Sequence, residues 1–368
     1  MDNITHTLFA LTLARTPLGR TGRGTTAALV LASNAPDVDI VATMRGAQSY
    51  LTWHRGPTHG PLGVVGLGLF VACLVAAGQR VSGRRKDEAG EAPFGRLVVV
   101  SMLGVLFHLL MDLPTSYGIR LLSPFDWHWF AVDWMPIIDF YLLFALVAGL
   151  MFGARSAAAR RRNAAIVIVL MTANYGIRAV AHRQALADAP RLFGPRLPQP
   201  CDLAGPPAVA VDYWPRALVS TPREPGRRCL VELVAVPTFV SPFQWRVIAH
   251  LSNAYEIHEV DLLETQFREP FSQADRTGRM TALFPNVWTP PVFAAASTPL
   301  GRTFLGFARL AAARPIVDSN GTATVRWIDV RFADGPGRLD QPAPRSDLFS
   351  ALVRIAPDGS ILEQRLGR

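Results

Sequence analysis

The chain has 368 residues, half of them hydrophobic, and a formal charge of +9. A mean hydropathy of +0.22 and a pI near 10.3 exclude a typical soluble enzyme, and the length admits two domains of ordinary size. The basic charge is compatible with nucleic acid in principle, but the arginines cluster in short loops between apolar runs, so no nucleic-acid partner is expected.

The apolar runs come first. Residues 4–14 are too short to span a bilayer unless their polar flanks are counted. Residues 25–43 are interrupted by Asn34, Pro36, Asp37 and Asp39. Residues 61–78, 94–113, 136–154 and 164–181 each approach the length that crosses a bilayer, about 20 residues. No basic stretch precedes the first run, so no cleavable signal is expected. The expectation is a mainly α membrane protein with five or six transmembrane helices.

Arg15, Arg20 and Arg23 share one short loop, Arg80, Arg84, Arg85 and Lys86 a second, and Arg155, Arg160, Arg161 and Arg162 a third. Basic short loops stay in the cytoplasm, and these three alternate correctly with the spans. The topology then gathers His6, Asp37, Asp39, His54, His59, His108, Asp112, Asp133 and Asp139 at the opposite, extracytoplasmic face. Ionisable side chains are costly in lipid and are rare there unless they pair, bind ions or do chemistry.

The rest of the chain lies outside the cytoplasm in this topology. The predicted division is a helical domain at 1–182, a Pro/Arg-rich linker at 183–205 and a soluble β-rich domain at 206–368. Strand-like runs fall at 229–240, 245–251, 323–332 and 348–355, and Ala-Pro-Asp-Gly-Ser at 356–360 reads as a turn. Cys73 lies in a span. Cys201 and Cys229 lie in the outer domain, as a disulfide or as two thiols.

His108 and Asp112 are spaced i, i+4, so both project from one helix face. They suit two ligands on one metal, a His oriented by an Asp, or a helix–helix hydrogen bond. In His54-Arg55-Gly56-Pro57-Thr58-His59, Gly56 permits a sharp turn and Pro57 opens the next helix, so the two histidines can converge. Thr58 reads as a local cap. Arg55 reads as an anion clamp or as a cation at the headgroup level. Asp37 and Asp39 follow a helix-breaking Pro36. As alternate residues of an extended segment they share a side, unless they form only a helix-end turn. A His/Asp set this large exceeds the four ligands of a structural zinc site and suggests two or three divalent ions, zinc or manganese, with open positions. Such a centre activates water and clamps phosphoryl oxygens.

Several pieces carry a resemblance: Thr5-His6, Pro36-Asp37-Val38-Asp39, His54-Arg55-Gly56-x-Thr58-His59, and His108-x-x-x-Asp112 followed by Thr115-x-Tyr117-Gly118 and Leu122-x-Pro124-Phe125. Together they resemble the YdjM-type family, LexA-binding, inner-membrane-associated proteins classed as metal-dependent hydrolases. Val132-Asp133, Ile138-Asp139 and 242–246 resemble a subgroup with an appended outer domain. The order His, Asp, His, His-x-x-x-Asp is also similar to the zinc-dependent phospholipase C and P1-nuclease group, an all-helical fold with three zinc ions that cleaves phosphodiesters. That similarity implies ligand positions for His6, Asp37, His59, His108 and Asp112. The group also uses its amino terminus and a late His-x-x-x-Glu. Here Met1 is not expected to reach the site, and only Asp133 or Asp139 can replace the latter. The group's usual Ser is Gly60.

The resulting expectation is a multi-pass protein of the bacterial inner membrane that hydrolyses a phosphodiester or related ester, with membrane lipids as partners and a lipid as plausible substrate. His6, Asp37, His59, His108, Asp112, Asp133 and Asp139 are candidate ligands. Asp39, His54 and Arg55 are candidates for catalysis. The alternative is a non-catalytic binding or regulatory protein with a structural metal site.

Overall fold

The computed structural model describes residues 1–82, 90–152, 156–193, 198–201, 214, 228–267, 280–333 and 349–367. Arg84, Arg85, Lys86, Arg155, Pro195, Pro206 and Leu348 lie outside them. The chain forms two compact units. The first takes Met1–Ala42, Trp53–Val180 and Phe239–Pro242; the second takes Thr43–Thr52, Ala181–Thr238 and Phe243–Arg368.

The helices of the first half are α1 (Asn3–Leu13), α2 (Thr25–Ala32), α3 (Ala47–Trp53), α4 (Pro61–Ser82), α5 (Phe94–Asp112), α6 (Phe140–Met151) and α7 (Ala157–Leu192). Among the described residues, three are long and apolar enough to cross a membrane: Pro61–Val81, Phe94–Asp112 and Ala157–Pro190. A fourth span arises if α2 is counted with the 3-10 segment Ala35–Arg45, bent from it by 41°. Five or six spans are therefore too many. The reasons are local. Pro36 lacks the N–H that would continue α2. Asp139 caps α6, its carboxylate accepting from Leu142 N at 2.7 Å, and the helix runs only 12 residues. α1 has only 11. α7, by contrast, is longer than its apolar run and continues through the first ten residues assigned to the linker.

Within the first unit, Leu29, Leu97, Val105, Leu109 and Leu146 share one buried cluster. Close approach of α2 and α5 depends on Gly104, where an added Cβ meets Ala32 Cβ at 2.8 Å. The basic ends of these helices are tied together. Arg15 donates to the carbonyls of Gly149 and Leu150 at 2.9 and 2.8 Å, covering carbonyls that the end of α6 leaves unsatisfied. Arg23 pairs with Glu91 at 2.5 Å. The histidines and aspartates lie at the other ends of the same helices.

The second unit holds two four-stranded antiparallel sheets. One is β1 (Leu230–Pro237), β2 (Gln244–Leu251), β3 (Ala254–Asp261) and β4 (Met280–Pro285), with α8 (Leu262–Phe267) after β3. The other is β5 (Ala311–Val317), β6 (Ala323–Asp329), β7 (Ser350–Ile355) and β8 (Ile361–Leu366). Between them lie α9 (Pro290–Ala296) and α10 (Pro299–Phe307). The four predicted strands are β1, β2, β6 and β7, and 356–360 is the turn between β7 and β8, with Gly359 at φ +84°. Ala181, Ala185 and Ala189 of α7 pack on Trp245, Val247 and Val260, while Val236, Ile248 and Tyr255 pack against Leu310, Ala312 and Val330. Cys201 and Cys229 form a disulfide.

Candidate metal centre

Each of the converging residues is delivered by the end of an element. α1 begins here with His6. α2 stops at Ala32, and the following 3-10 segment carries Asp37 and Asp39. The segment is helical, not extended, and the two carboxylates meet opposite nitrogens of the His59 ring. Arg55 takes the left-handed conformation at φ +53°, the bend assigned from sequence to Gly56. Pro57 then opens a short 3-10 turn ending at His59. α5 ends with His108 and Asp112 stacked one turn apart.

Asp37, His59, His108 and Asp112 each offer one ligand atom, all within 4.8 Å of one another. His59 Nε2 and His108 Nε2 are 3.2 Å apart. Asp37 Oδ1 is 3.6 Å from each of these nitrogens. Asp112 Oδ2 is 3.7 Å from His59 Nε2 and 3.5 Å from His108 Nε2. Bonds of about 2.1 Å to a tetrahedral ion place its ligand atoms about 3.4 Å apart. The residues present fit a divalent cation.

The hydrogen bonds behind the histidines point the same way. His108 Nδ1 lies 2.8 Å from Ser33 O, which only accepts, so Nδ1 carries the proton. Thr58 Oγ1 donates to Asp39 Oδ2 at 3.3 Å and therefore accepts from His59 Nδ1 at 3.0 Å. Both Nε2 lone pairs are left facing inward, the tautomer that outer partners impose on ligating imidazoles. Thr58 thus orients His59 and is no helix cap. Burial pushes the pKa of His59 well below its usual value. Burial also lowers that of His54, against the opposing effect of the hydrogen bond it donates to Asp39.

Asp39 gathers the preceding loop. It accepts from His54 Nδ1 at 3.0 Å and from Arg55 N at 2.7 Å, and lies 3.5 Å from His59 Nδ1. Arg55 is buried. Its Nη2 is 3.0 Å from Asp112 Oδ2, its Nη1 donates to Gly118 O at 3.0 Å, and its guanidinium lies 4.5 Å over the Tyr117 ring. Arg55 is therefore no exposed cation at the headgroup level: its guanidinium holds the Asp112 carboxylate.

The other oxygen of Asp112 looks elsewhere. Oδ1 is 3.4 Å from His6 Nε2 and contacts the Met1 amino nitrogen, so the expectation that Met1 falls short is overturned. His6 stacks on His108 at 3.9 Å, and neither of its buried ring nitrogens has a hydrogen-bond partner among the described residues. Asp133 and Asp139 stay outside the convergent group. Asp139 pairs with Arg178 at 2.6 Å and caps α6, which occupies both of its oxygens. Asp133 is buried at φ +61° in a segment held by its backbone, with Val132 N and Trp134 N bonded to Leu113 O and Pro114 O. Among residues the sequence reading passed over, Ser33 contributes only a carbonyl, which no side-chain pattern can signal. Tyr117 was visible only as part of a motif. Gly60 lies against the loop after α5: an added Cβ would come 2.0 Å from Ser123 O.

A family model described as YdjM inner membrane protein matches residues 1–185. The "Uncharacterized protein YfhP" of Bacillus subtilis (strain 168) is 26% identical over 123 residues, 33% of this chain and 35% of that protein. The match thus spans about a third of that relative's length. No solved structure matches.

Proposed function

The chain belongs to the YdjM inner membrane protein family, and from that premise we propose that it is a membrane-bound, metal-dependent hydrolase of phosphodiesters or related esters. One observation carries the reading: four ligand atoms on three separate segments converge at tetrahedral spacing. A divalent ion held by Asp37, His59, His108 and Asp112 supplies Lewis acidity and a water activated near neutral pH. The two carboxyl oxygens of Asp112 face different histidines, which supports a second ion beside His6. Zinc suits this His/Asp set best, with manganese as the alternative.

The chain's own groups have distinct tasks. Ser33 O and Thr58 fix the tautomers of His108 and His59. Arg55 orients Asp112. Asp39 anchors His54 through Nδ1, which presents Nε2 as the basic nitrogen for proton transfer. Val38, Ile40 and Val41, interleaved with the aspartates, are exposed. Trp53, next to His54, is exposed too and meets Trp127 edge-on at 5.7 Å. An apolar, tryptophan-bearing rim suits the membrane interface, and hence a lipid substrate. The disulfide and the basic helix ends support an extracytoplasmic location for the second unit.

A structural metal is the second reading, favoured by the fact that four protein ligands alone can fill a tetrahedron. Purified full-length protein should contain stoichiometric zinc or manganese and cleave a phosphodiester such as bis(p-nitrophenyl) phosphate. Inorganic phosphate should compete if a coordination position is open. Tightly held metal with no turnover and no phosphate binding would establish the structural reading. A metal-free protein would defeat both.

A further inference from the structure

We propose that the tip of the β1–β2 hairpin, Phe239 and Val240, enters the bilayer beside the head of α6 and contacts phospholipid where headgroups meet acyl chains. This inference is independent of the metal centre.

The tip runs against ordinary turn chemistry. β1 ends at Pro237 and β2 begins at Gln244. Gly, Pro, Asn, Asp and Ser dominate such connections, and Ser241-Pro242 fits that pattern. Phe239 and Val240 do not, and they are exposed, at 51% and 70%. The backbone around them is nevertheless held. Thr238 N donates to Gln244 O at 3.3 Å, and the Tyr141 hydroxyl donates to Val240 O at 3.2 Å. Phe239–Pro242 accordingly group with the first unit, to which Tyr141 belongs.

α6 defines the depth at which the tip stands. Phe140, Tyr141, Phe144, Val147 and Met151 are exposed, while Leu142 and Leu146 are buried. The exposed residues recur at helical spacing and form one apolar face. At the far end of α6, Arg15 donates to the carbonyls of Gly149 and Leu150, which marks the basic, watered side. At the head, Asp139 and Arg178 are fully buried and paired with each other, the state in which charges are tolerated below a membrane surface. The head of α6 therefore lies within the apolar depth. Its 12 residues rise about 18 Å, well short of a hydrocarbon core about 30 Å thick. The missing depth lies beyond Phe140, where Tyr141 holds the hairpin tip. Ile177 and Val180, which flank Arg178 on α7, are exposed as well. The tip thus continues the lipid-facing surface of the helices, and in a chain of an inner-membrane family that continuity names a bilayer as the occupant. The Val240 carbonyl already has the partner that a backbone group needs on leaving water. A tyrosine, apolar in body and polar at its end, suits the same boundary.

The unaltered full-length protein is reconstituted at one copy per nanodisc in phosphatidylethanolamine and phosphatidylglycerol, with a phospholipid bearing a diazirine near the top of its acyl chain. Adducts formed on photolysis are mapped by mass spectrometry. Phe239 and Val240 should carry adducts at a level within a few-fold of Phe144. Adducts on Phe144 with none on the tip overturn the proposal. A second measurement reads depth. Val240→Cys carries a nitroxide in a Cys73→Ser background, Cys73 being the free cysteine among the described residues. Relaxation of the label by oxygen should exceed relaxation by a water-soluble nickel chelate several-fold. Relaxation dominated by the chelate puts the tip in water, and weak relaxation by both puts it under protein; either result overturns the proposal. So does dipolar broadening at residue 240 with two copies per disc, which would assign the tip to a second copy of the chain. Because the crosslinking uses the unaltered protein, a misfolded variant cannot mimic its outcome.

Discussion

His59 and His108 point their Nε2 atoms at each other across 3.2 Å, and the bond behind each ring takes the proton that could have joined them. Two opposed lone pairs at that distance repel unless a cation lies between, and Asp37 and Asp112 add carboxylate oxygens to the same space. The buried cluster is thus arranged at an electrostatic cost that a divalent ion relieves.

Removing a ligand should remove the ion without removing the protein. His108→Ala and Asp112→Ala should each lose bound metal while fractionating with the membrane. Elemental analysis of the purified variants beside the parent decides it. Undiminished metal in either variant contradicts the ligand assignment.

Arg55 should act on metal affinity. Its fork holds Asp112 Oδ2 and Gly118 O together, which a lysine cannot do. Arg55→Lys should weaken metal binding by about 10–100-fold, the usual effect of losing an outer partner. Competitive chelator titration measures this. Unchanged metal affinity with weakened phosphate binding would restore the anion-clamp role.

Gly60 should not tolerate a side chain. A Cβ there overlaps Ser123 O, and overpacking of this kind typically costs about 1–3 kcal/mol. Gly60→Ala and Gly60→Ser should therefore both lower the melting temperature in detergent. Melting at the parent temperature would show that the 118–124 loop yields freely.

His250 should make the second unit acid-sensitive. Burial in β2 pushes its pKa down from 6.5 to about 3, while its ring stacks on Tyr255 at 4.4 Å. The unfolded chain binds the proton from pH 6.5 downward and the folded chain only near 3. The stability associated with the neutral ring is complete above pH 6.5 and declines as pH falls towards 3, by about 1.4 kcal/mol per pH unit. Hydrogen exchange of the β2 amides against pH should show this slope, flattened in His250→Gln. Equal slopes in both proteins would rule His250 out as its source.

Thiol labelling should report the disulfide and, through it, the compartment. Non-reduced, denatured protein should take one maleimide, on Cys73, and reduced protein three. Cys201→Ser should destabilise the second unit by about 3–4 kcal/mol, the range for a loop of this length. Three labels without reduction would remove the support for an extracytoplasmic domain.

Much of the candidate site was legible in the chain. His108 and Asp112 were separated by one helical turn, and helical geometry alone put them on one face. Asp37, His59 and His6 followed from alternation of apolar runs with basic loops, which sorted them to one end. Asp139 went astray because a carboxylate at the head of a helix reads alike as ligand or cap. Only Arg178, 39 positions later in the chain, reveals that its charge is already matched. The pairing of Arg55 with Asp112 was hidden for a related reason: that carboxylate lies on α5, remote in the chain.

Local physics is written in sequence: apolar length, helix-breaking proline, strand alternation, the turn at 356–360, and the residue types able to hold a cation. These settled a helical half with membrane-length runs and a sheet-rich half. Which groups meet depends on distances between segments remote in the chain, and only the tertiary structure decided that. It shortened α6 below membrane length and carried α7 past its apolar run. It joined Cys201 to Cys229. It turned Asp112 towards His6 on one side and His59 and His108 on the other. A side chain's partner is chosen by packing, and packing is set by the whole fold.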